Sequence, residues 1–264
     1  MSIADFRSKS HTTRWRWWMH LILMGGYIAL PIALGLVEHH PRPTLSNGPR
    51  GMLIVYGVQT FLFIFVFALA CIFSKPSREL LLLSWRPGWW VIPLGIGYSV
   101  AIRILVGVAL TAIILLFLAV GLLDRQSLHE FLPASRPHLE RVVDVSALRN
   151  NPLYFWLLVT FGSFVVAGLQ EELWRASTLA AMRSLWPNTF EHRDGQIMAV
   201  ALIAIVFGFA HLGYGLVAVP VAALLGFGLG AIMVVHKSIW PAVMAHGFFD
   251  ATTFALLRWI SHIH

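Results

Sequence analysis

The chain has 264 residues, 58% of them hydrophobic and only 12% charged, with a mean hydropathy of +0.75. A water-soluble domain cannot hide that much apolar surface, so the composition excludes an ordinary soluble enzyme and predicts an all-α, polytopic transmembrane helix bundle. The net charge of +7 is scattered between apolar runs; it reads as topology signal and contact with membrane lipid, and excludes nucleic acid as a partner.

A spanning helix needs roughly 20 apolar residues. The runs that meet this are Trp17–Val37, Met52–Phe73, Trp89–Leu123, Leu153–Trp186, Ile197–His211, Gly215–Val235 and Ile239–Leu257. Seven spans is the central expectation, within a range of six to eight. The third and fourth runs are long enough to tilt or to extend beyond the bilayer, and the third has a candidate break at Gly95–Gly97. The first run follows Arg7, Lys9, Arg14 and Arg16 without a persuasive small-residue cleavage site, so it reads as a retained helix. Two tryptophan-rich clusters, Trp15–Trp18 and Trp85–Trp90, read as interfacial anchors. The single Cys71 excludes an intrachain disulfide and fits a core thiol. Asp124–Asn150 is the one sizeable polar loop. No repeat is visible, so residues 1–264 are read as a single integral membrane domain. The larger share of loop Lys and Arg falls on the side of the N-terminus, which predicts a cytoplasmic N-terminus.

Ionisable groups inside such runs are costly and persist where they pair, face a wet cavity or do chemistry. The fourth run carries Glu171-Glu172-Leu173-Trp174-Arg175. On a helix Glu171 reaches Arg175 at the four-residue spacing and Glu172 reaches it at the three-residue spacing. One carboxylate can thus neutralise Arg175 while the other stays free as a general base for water. His246 and Asp250 share one helical face of the last run. His211 closes Phe207-Gly208-Phe209-Ala210-His211, ahead of a glycine-rich turn. Each island alone fits a hydrogen-bonded core group or a helix-locking ion pair; three on separate runs can converge. Arg103, in the third run, reads as snorkelling to an interface or pairing with these acids. His20 and Glu38, near the ends of the first run, need only interface placement.

Phe207 with His211, then His246 with Asp250 after Ser238-Ile239-Trp240-Pro241, resemble the second and third motifs of the CPBP family. These are the CAAX protease and bacteriocin-processing intramembrane peptidases, also called the Abi family. The resemblance covers about residues 155–254. The family's first motif, Glu-Glu-x-x-x-Arg, is one residue shorter here. Alignment on Arg175 puts Glu171 at the arginine-pairing position and Gln170 at the position of the base. Alignment on the acids makes Glu171 the base and Glu172 the arginine partner. The resemblance implies an endopeptidase without a covalent intermediate, acting on a peptide or lipidated protein, prenylated CAAX-type or bacteriocin-like. Glutamate and His211 would activate water, and His246 with Asp250 would stabilise the oxyanion. It implies no cofactor; a metal held by His211, His246 and a glutamate is a minor alternative, as no His-Glu-x-x-His helix is present. Two readings from other classes stand beside it, a catalytically silent scaffold or immunity protein and a proton-coupled transporter. The expected location is a bacterial inner membrane.

Overall fold

The computed structural model describes residues 14–37, 45, 48–122, 124 and 139–263. Seven long helical rods run through them: α1 (Arg14–Val37), α2 (Gly48–Ser74), α3 (Val91–Ala119), α4 (Pro152–Leu185), α5 (Arg193–Ala210), α6 (Ala218–His236) and α7 (Trp240–Ile263). Among the described residues, five helices are long and apolar enough to cross a membrane, namely α2, α3 with its leading turn, α4, α5 and α6. The remaining two, α1 and α7, are 24 residues each; α7 carries His246, Asp250 and Arg258, which dilute its apolar character. The protein is an integral membrane helix bundle, and the rods follow the seven hydrophobic runs of the sequence closely. Large side chains on α2 and α3, including Phe61, Phe65, Ile104 and Leu115, point outward, as a lipid-facing wall requires.

Two details differ from expectation. The third run does not break at Gly95–Gly97, because α3 is continuous there. Gly95 instead lets α3 press on α7, where an added Cβ would collide with Met244; small residues permit such close crossings where packing drives association. His20 faces the bundle interior. It is fully buried and joins three rods: Nδ1 faces Ser74 Oγ at 2.7 Å and the Ala70 carbonyl at 3.1 Å, while Nε2 faces Ser177 Oγ at 2.6 Å. A buried imidazole held this way satisfies both ring nitrogens.

Most of the predicted polar loop, residues 125–138, lies outside the described residues, as do Glu38 and the basic residues before Arg14. Its last part is ordered against the bundle. Asp144 caps the short helix Val145–Asn150 by accepting from Ala147 N, and the Tyr154 hydroxyl donates to the Leu45 carbonyl at 2.9 Å.

Rod α4 changes pitch along its length. Pro152–Leu157 is α-helical, Leu158–Gln170 is π-helical, and the α-helix resumes at Glu171. Ser163 Oγ donates to the Leu158 carbonyl five residues back, which suits the wider turn. Such stretches are rare and concentrate near functional sites. This one packs against α7, where Gly168 approaches the Val243 carbonyl and Gly247 accommodates Phe164. The pitch change therefore comes at the crossing that brings α4 and α7 together, immediately before the two glutamates.

Candidate active site

Three helices and one turn contribute to the site. Glu172 and Arg175 are completely buried, with Glu172 Oε1 at 2.5 Å from Arg175 Nη1. The same carboxylate oxygen accepts from His246 Nδ1 at 3.2 Å. Arg175 and His246 thus share one buried carboxylate oxygen, an arrangement with the geometry a desolvated charge needs to persist. The Arg175 guanidinium also lies over the Phe207 ring, 4.6 Å from its centroid, adding a cation–π contact across to α5.

Glu171 points elsewhere. Its Oε2 lies 3.7 Å from His246 Nε2, and the side chain keeps 29% of its exposure, although Oε2 itself is buried without a hydrogen-bond partner. Asp250 approaches the same His246 nitrogen from one helical turn on, at 3.8 Å, with 24% exposure. His246 is therefore held at Nδ1 and faces two carboxylates at Nε2. Both separations exceed a direct hydrogen bond.

His211 ends α5. Its Nδ1 donates to the Phe207 carbonyl at 2.9 Å, which selects the tautomer with Nε2 as acceptor. Phe207 stands between the histidines, its ring centroid 4.5 Å from that of His211 and 6.4 Å from that of His246. It is almost fully buried, so one aromatic plate sets the positions of Arg175, His211 and His246.

All six residues singled out from the sequence, Glu171, Glu172, Arg175, His211, His246 and Asp250, thus gather where α4, α5 and α7 meet. The two alignments of the shortened motif are also separated by geometry: Arg175 pairs with Glu172. Gln170 turns away and donates from Nε2 to Thr60 Oγ1 on α2 at 2.7 Å. Tyr214 is a neighbour that sequence reasoning missed; its ring lies 5.3 Å from that of His211. Its signal is the Leu212-Gly213-Tyr214-Gly215 segment, which the sequence marks only as a glycine-rich turn. Arg103 is held between helices: it crosses to α7 and donates to the Phe249 carbonyl and Thr252 Oγ1, on either side of Asp250. Among the described residues, no group of three His, Cys, Asp or Glu side chains is arranged to hold a metal ion.

The family model described as Type II CAAX prenyl endopeptidase Rce1-like matches residues 152–252. That segment runs from the start of α4 to the Asp250 turn of α7 and contains all six residues, in agreement with the resemblance carried by the three motifs. No curated protein and no solved structure matches the chain.

Proposed function

We propose that the protein hydrolyses a peptide bond of a membrane-associated substrate by glutamate-activated water, a reading supported by the match of residues 152–252 to the Rce1-like type II CAAX prenyl endopeptidase family model. That match supports a CAAX-type intramembrane protease. The observation that carries the finer reading is the division of labour between adjacent acids: Glu172 is consumed by Arg175 and His246, whereas Glu171 is free and partly exposed beside His246.

In this reading Glu171 takes a proton from water, with His211 Nε2 accepting a hydrogen bond that orients it. The water oxygen attacks the peptide carbonyl carbon. Negative charge develops on the carbonyl oxygen, which accepts hydrogen bonds from His246 Nε2–H, in the protonated imidazole, and from Asp250 in its neutral carboxylic acid form. Collapse breaks the C–N bond as Glu171 returns the proton to the leaving amine. Glu172 and Arg175 do no proton transfer; they fix His246 and the turn that bears Glu171. No step calls on a metal ion or other cofactor.

The substrate is a lipidated or membrane-embedded peptide, prenylated CAAX-type or bacteriocin-like, reaching the site from the lipid. The chain acts as one integral domain, with α1–α3 buttressing the matched segment, in a bacterial inner membrane with its N-terminus cytoplasmic. A cleavage assay on the reconstituted protein tests this with matched prenylated and unprenylated peptides. Hydrolysis by wild type and its loss in Glu171→Ala are expected. Activity unchanged in Glu171→Ala, or none in wild type, favours the scaffold reading.

A further inference from the structure

Helix α3 lies outside the segment that the family model matches, and the reaction above makes no use of it. It nevertheless meets α7 on both sides of the stretch from His246 to Asp250. Before that stretch, Gly95 lets the two backbones cross at Met244 and Ala245, where any Cβ on α3 would collide. Around its far end, Arg103 Nη2 donates to the Phe249 carbonyl, to Thr252 Oγ1 at 2.5 Å and to Thr253 Oγ1 at 3.2 Å. Gly95 and Arg103 are eight residues apart, and so are Met244 and Thr252. The two contacts are therefore in register, roughly 12 Å apart along helices that run in the same direction.

The grip of Arg103 is a stiff one. Its Nη1 is tied back to α3 by donating to Ser99 Oγ at 2.8 Å, and the guanidinium carbon sits 4.2 Å from the centroid of the Phe249 ring. A permanent cation at membrane depth is costly and persists where its donors are used; here they converge on one turn of α7. Each acceptor is neutral. Among the described residues no carboxylate stands within ion-pair distance of Arg103, although Arg103 and Asp250 lie in one another's field. The cation thus holds the turn that carries Asp250 without drawing its carboxyl away from His246. Asp250 needs such a hold, because its 3.8 Å approach to His246 exceeds a hydrogen bond and does not fix the side chain by itself.

We propose that Arg103 is a positioning residue of the site: by gripping α7 on either side of Asp250, it sets that carboxyl beside His246, where the oxyanion forms. This rests on the peptidase reading and extends its machinery to α3. Because Arg103 acts through Asp250, its removal should matter only while Asp250 is present, whereas a residue that merely braces the bundle would act whether or not Asp250 is there.

The test is a double-mutant cycle on the full chain in lipid nanodiscs, with rates taken per folded molecule. Arg103→Gln should lower kcat on a prenylated peptide by about 10–10² while KM stays within about threefold. In an Asp250→Ala background the same substitution should change kcat by less than about twofold. Where Arg103→Gln does not fold, Arg103→Lys carries the cycle. It keeps the charge but not the planar fork, and should lose about three- to tenfold, a loss that Asp250→Ala again abolishes. Equal losses in the two backgrounds overturn the proposal, as does an Arg103→Gln enzyme with undiminished kcat. A second readout needs no turnover. The infrared carboxyl band that Asp250→Asn removes should shift in the Arg103 variant, while the band that Glu171→Gln removes stays in place. An unmoved Asp250 band, or an equal shift of both, also overturns the proposal. Absence of cleavage by wild type removes the peptidase reading, and the infrared comparison then decides the contact between Arg103 and the Asp250 turn on its own.

Discussion

Neutralising each of the two adjacent glutamates should produce opposite phenotypes. In Glu172→Gln the charge that Arg175 meets at 2.5 Å and His246 at 3.2 Å disappears, in a place with no exposure for either member of the pair. Arg175 is left with the face of Phe207. Breaking a buried pair by removing one partner costs about 3–5 kcal/mol, which lowers the melting temperature of a chain this size by roughly 6–20 °C. In Glu171→Gln the lost contact is a 3.7 Å approach at a 29% exposed side chain, worth under about 1 kcal/mol. Loss of a general base should nevertheless reduce kcat by about 10²–10⁴. Thermal unfolding in detergent, followed by tryptophan fluorescence, and the peptide cleavage assay resolve the two effects. Glu172→Gln combined with Arg175→Met should recover much of the lost stability, since no orphan cation remains. A stable Glu172→Gln, or a Glu171→Gln that melts early and still cleaves, would refute the division of roles.

Three other perturbations follow from the same coordinates. Gln170→Glu should yield no gain in kcat/KM, since this side chain faces Thr60 rather than His246. Burying a carboxylate where an amide donates should cost about 1–3 kcal/mol by thermal unfolding. His20→Ala removes the polar joint between α1, α2 and α4 and should lower stability by about 2–4 kcal/mol, while kcat/KM per folded molecule stays within about twofold of wild type. Asp250→Asn keeps a polar group 3.8 Å from His246 and should stay within about tenfold of wild-type kcat, whereas Asp250→Ala should fall by about 10²–10³; equal losses in both would remove Asp250 from the oxyanion role.

Hydrophobic run length made the rods readable from the sequence, because lipid demands an internally hydrogen-bonded coil of nearly fixed length. The six polar residues stood out for a related reason: apolar surroundings make every charge conspicuous. What run length does not encode is rotation about the helix axis. Whether Arg175 meets Glu171 or Glu172 depends on phase, and the pitch change between Leu158 and Gln170 left no compositional trace. The partners of His20 are not legible because a position near a span's end says nothing of which neighbours cover it; the serines it meets are 54 and 157 residues away. The same holds for Arg103, whose acceptors beyond Ser99 in its own helix are backbone and threonine oxygens of a helix about 150 residues downstream, which no local pattern announces.

The pitch change within α4 bears on how relatives of this chain are found. A coil that can widen in one stretch and tighten in the next uncouples the count of residues from the direction in which they point. Searches that insist on a fixed interval between acid and arginine would discard this sequence as defective, although the two groups meet in space. Members with shortened or lengthened intervals are better sought by asking which side chain faces the histidine of the last helix.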